Sequence, residues 1–258
     1  MGYETIVYDV SDGVARITLN RPEKMNCLSG LMRRELLHAL RRAPEDARAA
    51  ILTGAGRGFC SGQDLGDARS VADLDLEGVL RDEYEPLLRA LAEAPIPTIC
   101  AVNGAAAGAG ANLALAADIV IAARSAVFIE AFARIGLIPD AGGTYWLPRM
   151  VGLPRAMGMC LLAETIPAER AAQWGLIWEM TEDGALLARA EALARTLADG
   201  PTAAHARAKQ ALRASLSNDL DAQLSLEAKL QGEAGKTRDF LEGVMAFLEK
   251  RPARFEGR

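Results

Sequence analysis

The sequence predicts an α/β fold built from repeated strand–strand–helix units and followed by a helical carboxy-terminal part. Short apolar runs of strand character alternate with segments of helical spacing as far as Gly152, and beyond it the chain is alanine-rich and helical. The strongest boundary signal is Gly200-Pro201. We therefore expect a core over residues 1–200 and a helical part over 201–258, which could cap that core or pack against a neighbouring subunit.

The composition excludes several classes of function. The chain has 258 residues, half of them hydrophobic, so it can bury a large core. Its formal net charge of -5, without a basic cluster, argues against nucleic-acid binding. The four cysteines have no paired short spacing, so neither a zinc site nor a disulfide framework is expected. Because the amino terminus lacks a secretory signal, we expect a protein of the reducing cytoplasm.

One segment, residues 94–117, has no charged side chain and is long enough to span a bilayer. Two prolines, two asparagines and three glycines interrupt it, and alanine and glycine supply little transfer energy. We expect no membrane span.

The chain begins with a predicted β-hairpin, residues 4–10 and 14–19, joined by a Ser-Asp-Gly turn. A helix is expected from an N-cap at Ser29 to near Pro44, and His38 within it is expected to be a surface or packing residue. Further strands are predicted at 49–53, 98–102, 119–122 and 126–129, and further helices at 80–92, 203–215, 220–232 and 238–249.

A glycine-rich stretch follows the strand at 98–102, where that strand is predicted to pass into a helix. Gly104, Gly108 and Gly110 are separated only by alanine, so no large side chain would keep a ligand from the first N–H groups of the helix. Those groups carry the positive end of the helix dipole and can hold an anion. The alternative is that small residues merely allow close packing of a helix on a sheet.

A second glycine-rich strand exit, residues 54–65, matches neither a P-loop nor a nucleophile elbow. A dinucleotide-binding fingerprint is the closest rival for both stretches, but Leu113 stands where the first stretch would need its third glycine or alanine. The polar residues 66–79 are typical of a mobile segment over a site or of a surface loop. Farther along, Asp140 is a lone acid before two glycines, which by itself favours an N-cap for a helix over 142–150.

Three stretches, residues 50–65, 102–118 and 138–144, resemble the motifs of the crotonase, or enoyl-CoA hydratase/isomerase, family. The resemblance runs over essentially the whole chain. It implies a spiral of strand–strand–helix units with a carboxy-terminal helical part, usually a trimer or a dimer of trimers. It further implies an acyl-CoA thioester as substrate and neither a metal nor a permanently bound cofactor.

In this family two backbone N–H groups hold the thioester oxygen, and by motif position they fall on Gln63 and Ala109. Removing a proton beside a thioester puts negative charge on that oxygen, and two fixed donors lower the cost. The resemblance also implies a set of substrate-binding residues: Met25, Cys27, Leu28, Ser61, Asp64, Leu65, Gly108, Phe132 and Pro139. Because an acidic protein needs local positive potential for a polyanion, we expect Arg57 or Lys24 near a CoA phosphate.

The acids decide the reaction. Hydratases of the family use two glutamates, and the matching positions here are Asn112 and Phe132, neither of which can accept a proton. Asp140 instead resembles the acid of the family's isomerases, especially those acting on ring-1,2-epoxyphenylacetyl-CoA in phenylacetate breakdown. A single acid can take a proton from one carbon and return it to another carbon on the same face of the substrate. Apolar neighbours such as Phe132 and Ile138 are expected to raise the pKa of Asp140.

Several alternatives stay open at this point. Glu130 is a rival acid if its strand turns it inward, although a solvated or structural role is favoured. His38 and His205 have no supporting constellation. The family's Δ3,Δ2-enoyl-CoA isomerases and enoyl-CoA hydratases remain possible relatives in function. So do a non-catalytic acyl-CoA-binding protein and, from another class, a dinucleotide-dependent oxidoreductase.

Overall fold

The computed structural model describes residues 2–66 and 75–258. The middle of the polar 66–79 segment, and the prediction made for it, therefore lie outside the described residues. Within the described part the strands form two sheets. The first has the order β1 (Ile6–Ser11), β2 (Val14–Leu19), β3 (Ala49–Gly54), β5 (Thr98–Val102), β7 (Ile119–Ala123) and β10 (Glu179–Thr181). The second has the order β4 (Gly58–Cys60), β6 (Ala105–Ala107), β8 (Val127–Ile129) and β9 (Thr165–Pro167).

The helices surround these sheets and then continue to the end of the chain. They are α1 (Gly30–Asp46), α2 (Leu76–Val79), α3 (Glu85–Ala92), α4 (Ala109–Leu115), α5 (Gly143–Val151), α6 (Leu153–Leu162), α7 (Ala168–Gln173), α8 (Leu186–Ala198), α9 (Thr202–Ala214), α10 (Leu220–Ala234) and α11 (Arg238–Glu249). A π-helical turn at Leu80–Tyr84 joins α2 to α3, so the helix predicted at 80–92 is divided. Short 3-10 turns lie at Pro22–Lys24, Ala131–Ile135 and Asp183–Ala185.

The amino-terminal hairpin is confirmed. β1 and β2 pair antiparallel with Ser11 opposite Val14. The two turn residues, Asp12 and Gly13, both have positive φ, 51° and 72°, as a two-residue turn that matches the strand twist requires. The predicted N-cap of α1 is also confirmed, because the Ser29 side chain accepts a hydrogen bond from the Met32 N–H.

Each of three successive units places one strand in each sheet. These units are β3 with β4, β5 with β6, and β7 with β8, and a helical segment follows each pair. The strands of successive units pair in parallel, β3 with β5 and β5 with β7 in the first sheet, β4 with β6 and β6 with β8 in the second. The predicted spiral of strand–strand–helix units is therefore confirmed.

The first glycine-rich stretch differs from its prediction, because a strand does not pass directly into a helix there. β6 lies between β5 and α4 and pairs on both sides, with β4 and with β8. Its sequence is three alanines, which have little intrinsic strand propensity. The two neighbouring strands supply the hydrogen bonds that hold this backbone extended, so tertiary pairing overrides local propensity here.

The carboxy-terminal helices contact their own core. The Nζ of Lys209 on α9 donates to the carbonyls of Ala94 and Ile96, both at 2.8 Å, and pairs with the Oδ2 of Asp118 at 2.6 Å. Arg213 pairs with the other oxygen of Asp118 at 3.0 Å. This docking leaves outward faces of α9, α10 and α11 that carry exposed apolar side chains. The division of the chain at residue 200 remains a prediction.

Candidate active site

Two backbone amides without internal acceptors lie on neighbouring loops. Gln63 forms an isolated parallel bridge with Leu28, in which the Leu28 N–H donates to the carbonyl of Gly62 at 2.8 Å. The Gln63 N–H itself donates to no acceptor among residues 2–66 and 75–258, and the same holds for the N–H of Ala109, the first residue of α4. Both amides are thus available to an external oxygen.

A glycine with positive φ precedes each of these amides. The φ of Gly62 is 95° and that of Gly108 is 52°, a backbone that side chains rarely tolerate. A Cβ on Gly62 would stand 2.9 Å from the carbonyl oxygen of Ala107 and 3.6 Å from the nitrogen of Ala109. The loop that carries Gln63 therefore lies directly against the start of α4.

A buried amide connects α4 to the segment that carries Asp140. The Nδ2 of Asn112, which is fully buried, donates to the Asp140 carbonyl at 2.9 Å and to Oε2 of Glu130 at 3.3 Å. A Cβ on Gly143 would collide with this amide, which explains a glycine at the first residue of α5. Asn112 thus holds the backbone of Asp140 in place and binds the carboxyl group of Glu130.

The carboxyl group of Asp140 is not an N-cap. Gly142 caps α5 without a side-chain hydrogen bond, and Oδ1 of Asp140 is buried with no partner in the described part of the chain. Burial raises the pKa of Asp140 from 3.8 to about 6. A carboxyl with such a pKa can both accept and return a proton near neutral pH.

Of the two apolar neighbours predicted for Asp140, one is buried and the other is exposed. Phe132 is buried, and its ring lies against Gly108. A Cβ added to Gly108 would be 3.5 Å from that ring. Ile138 is 79% exposed, so the expectation that it helps to bury Asp140 is wrong. The chain from Ile135 to Ile138 runs over the surface.

A cavity of 580 Å³ opens beside Asp140 and is large enough for a small acyl group. The π turn and α3 form one wall, the start of α5 forms another, and the end of α9 closes it. Its lining residues are Leu80, Tyr84, Glu85, Leu88, Arg89, Ala92, Glu93, Asp140, Ala141, Gly142, Tyr145, Trp146, Arg213 and Leu216.

Glu130 is not solvated, so of the two roles favoured from the sequence only the structural one fits its burial. It directly follows β8 and is 1% exposed. Burial raises its pKa from 4.5 to about 7; the hydrogen bond from Asn112 opposes this shift and the charge of Asp140 adds to it. The sequence left the burial of Glu130 open because the side-chain direction beside a strand depends on register, which the sequence does not show.

The two loops expected to bind CoA are joined by an ion pair. Arg21 contacts Oδ2 of Asp64 and the carbonyl of Cys27, at 2.8 and 2.9 Å. Although partial burial acts the other way, the hydrogen bonds from Arg21 and Cys27 and from the backbone of Gly66 keep the pKa of Asp64 below its ordinary value. Leu28 is fully buried and both its backbone groups are occupied, so it positions the loop rather than facing a ligand. Of the remaining predicted binding residues, Ser61 and Leu65 are exposed, Met25 and Pro139 are half-buried and Cys27 is buried.

Comparison with known proteins gives the family. The sequence profile of the Enoyl-CoA hydratase/isomerase family matches residues 9–258. The chain belongs to this family. It is 62% identical to the Rhodobacter capsulatus protein named "Probable enoyl-CoA hydratase", over 100% of both chains. It is 49% identical to the 1,2-epoxyphenylacetyl-CoA isomerase of Escherichia coli K12, over 99% of both.

Solved structures of the enoyl-CoA hydratase/isomerase family have the same fold. One from Mycobacterium abscessus, described as an enoyl-CoA hydratase/isomerase, is 42% identical with a TM-score of 0.92, over 98% of this chain and 100% of the other. One from Streptomyces coelicolor A3(2), described as an enoyl-CoA hydratase, is 40% identical with a TM-score of 0.94, over 100% of this chain and 96% of the other. Among the described residues there is no group of side chains that could hold a metal ion, and no helix able to cross a membrane.

Two residues of the candidate active site were not predicted from the sequence. Asn112 was noted only for what it cannot do, although its amide bridges Glu130 and Asp140. Tyr84 was not noted at all, because nothing in the sequence marks the π turn that places it in the cavity. His38 was predicted to be a surface or packing residue, and this is consistent with the hydrogen bond between its Nδ1 and the Tyr3 hydroxyl at 2.8 Å.

We predict that Lys24→Ala and Arg57→Ala each weaken CoA binding by about two- to tenfold at low salt, and less at high salt. Both side chains are exposed, and Nε of Arg57 lies 3.2 Å from the sulfur of Met25, on the loop joined to Gly62. Isothermal titration of CoA at two salt concentrations measures this. Lys236→Ala, an exposed lysine between α10 and α11, is the control, and equal affinities in all variants would remove both residues from the site.

We also predict that Glu130→Gln flattens the pH dependence of stability. Because the folded pKa is about 7 and the unfolded value 4.5, the free energy of unfolding falls as pH rises through this window. In the variant, the decrease in the free energy of unfolding over this pH window should be smaller by about 1 to 3 kcal/mol. Urea unfolding at about pH 5 and pH 7.5 measures it, with the exposed Glu227→Gln as control. An unchanged slope in Glu130→Gln would show that this carboxyl is not buried in solution.

Proposed function

We propose that this protein is an acyl-CoA isomerase whose substrate is ring-1,2-epoxyphenylacetyl-CoA. One observation carries the proposal: Asp140 lines the cavity, and its buried Oδ1 has no partner among the described residues. The family resemblance adds that Asn112 and Phe132 match the two glutamates of the hydratases, and neither side chain can accept a proton. The 49% identity to an enzyme named for this reaction supports it.

In the proposed reaction the thioester oxygen accepts hydrogen bonds from the N–H groups of Gln63 and Ala109. Asp140 takes a proton from C2, and the electron pair of that C–H bond enters the thioester enolate, whose oxygen the two amides stabilise. The bond between the two epoxide carbons opens, which widens the ring to an oxepin, and Asp140 returns the proton to a ring carbon. No atom is gained or lost.

A second candidate is an enoyl-CoA hydratase. Its support is the 62% identical relative of that name and the buried Glu130, a second acid next to the first. The remaining isomerase alternative, a Δ3 to Δ2 enoyl shift, would use Asp140 in the same way.

A panel of thioesters separates these candidates. Epoxyphenylacetyl-CoA, a 3-enoyl-CoA and crotonyl-CoA are each incubated with the protein and followed by ultraviolet absorbance and mass spectrometry. The proposal expects the highest kcat/KM for the epoxide, with a product of unchanged mass. Turnover of crotonyl-CoA alone would favour the hydratase, and turnover of none would favour a non-catalytic binding protein.

We further predict that the protein is a trimer or a dimer of trimers in solution, held partly by the helices after Pro201. Apolar side chains on α10 and α11 face outward, including Leu220 at 71% and Phe247 at 82% exposure, together with Leu224, Leu241, Val244 and Leu248. Light scattering at micromolar concentration measures the mass. Phe247→Asp should shift it toward monomer, and Lys250→Asp, an exposed neighbour, should not. A monomeric mass for the unmodified protein would contradict the prediction.

A further inference from the structure

The cavity beside Asp140 contains a second polar group that the proposed reaction does not use. Tyr84 lines this cavity, its side chain is 1% exposed, and its hydroxyl has no hydrogen-bond partner among the residues described. Trp146 also has a buried, unpartnered Nε1, but that atom lies against the backbone of Gly142. The Tyr84 hydroxyl lies near enough to Asp140 for the charge of that carboxyl to act on it.

The chain fixes the position of this phenol from two sides. Tyr84 ends the π turn Leu80–Tyr84, an arrangement that often marks functional sites because it shifts the phase of a helix. The guanidinium carbon of Arg33 lies 5.0 Å from the centroid of the Tyr84 ring. Arg33 is itself held, since it pairs with Glu83 at 2.8 Å and donates to the Leu28 carbonyl at 2.6 Å.

These contacts connect Tyr84 to the loop that carries Gln63, because Leu28 forms the bridge with Gln63. The phenol and the loop that carries the Gln63 amide are therefore held by one connected set of contacts. A buried hydroxyl without a partner costs stability, so its presence in a cavity that admits a ligand points to a partner on that ligand.

The phenol acts as a donor. Burial raises the pKa of Tyr84 well above its ordinary value, the nearby Arg33 opposes this shift and the charge of Asp140 adds to it. The hydroxyl consequently keeps its proton near neutral pH. Its natural complement is an uncharged or anionic oxygen.

We propose that the Tyr84 hydroxyl donates a hydrogen bond to an oxygen on the acyl group, and so selects oxygen-bearing aryl-acetyl thioesters over alkyl or plain aryl ones. The inference rests on the proposed function and deepens it, since the epoxide oxygen is such an acceptor. Tyr84 orients the ring and transfers no atom. A site built to bond a substrate oxygen rejects the analogue without it far more strongly than an apolar site does.

Binding of two unreactive ligands tests the inference independently of turnover. These are 2-hydroxyphenylacetyl-CoA and phenylacetyl-CoA, whose Kd values are measured by titration with the unmodified protein, with Tyr84→Phe and with Tyr145→Phe. Tyr145 lines the same cavity but is 39% exposed, which makes it the matched control. The unmodified protein and the control should prefer the hydroxylated ligand by about tenfold, and Tyr84→Phe should lose that preference.

Turnover then separates this inference from the proposed function. Tyr84→Phe should lower kcat/KM for the epoxide about 10- to 100-fold and should change kcat/KM for a 3-enoyl-CoA by no more than about twofold. Equal affinity of the unmodified protein for both ligands, or a preference that survives in Tyr84→Phe, would overturn the role of Tyr84 even if the epoxide is turned over. A preference lost only in Tyr84→Phe, without any epoxide turnover, would uphold Tyr84 and overturn the proposed reaction instead.

Discussion

Replacing Asp140 by asparagine should lower kcat for isomerisation by about 10² to 10⁴, with little change in KM. The substitution keeps the shape of the side chain, and the Asn112 amide still holds the backbone carbonyl at this position. What is lost is the only unpaired carboxylate oxygen found buried in the described part of the chain. Steady-state kinetics with the epoxide thioester measures the effect.

Asp199→Asn, an exposed aspartate after α8, is the control and should behave as the unmodified protein. The unmodified protein should also lose kcat/KM as pH falls below about 6, because the raised pKa of Asp140 means that its base form disappears there. Isomerisation retained in Asp140→Asn would contradict the assignment and direct attention to Glu130.

Gly62→Ala should lower kcat/KM by about 10² to 10³. A Cβ at this position meets the carbonyl oxygen of Ala107 at 2.9 Å, and the backbone φ of 95° is itself strained for alanine. Relief of either conflict turns the loop and displaces the Gln63 N–H from the Ala109 N–H. The charge on the thioester oxygen then loses a donor in the transition state.

Gly158→Ala provides the matched control, because a Cβ there meets nothing within 4 Å and the residue lies inside α6. Kinetics and thermal unfolding of both variants are compared, so that a loss of activity can be separated from a loss of folded protein. Gly62→Ala with unchanged kcat/KM would show that the Gln63 amide takes no part in stabilising the thioester oxygen.

The parts of the fold that were predicted correctly are those with a local cause. A two-residue turn needs residues that tolerate positive φ, and an N-cap needs a short polar side chain, so the hairpin and Ser29 could be found from the sequence. The two glycine-rich stretches that carry Gln63 and Ala109 could be noticed because small residues stand in a row there, and the role proposed for their N–H groups came from the family resemblance. Their adjacency came from the family resemblance and not from any spacing.

The parts that were missed have causes distant in the sequence. β6 is extended because two strands pair with it, not because its three alanines favour a strand. Glu130 is buried by the register of β8, and Ile138 is exposed by the path of a surface segment. Tyr84 enters the cavity only because a π turn shifts the helix phase. None of these effects leaves a local pattern.

The central proposal is that this site rearranges its substrate and adds no water, and mass spectrometry in water labelled with heavy oxygen tests it most directly. Epoxyphenylacetyl-CoA and crotonyl-CoA are incubated separately with the unmodified protein, and the masses of the products are measured. We expect the epoxide to give a product of unchanged mass without heavy oxygen, and crotonyl-CoA to remain essentially unconverted. Rapid conversion of crotonyl-CoA to a product that carries heavy oxygen would contradict the account, because it would reveal a water-activating group beside Asp140.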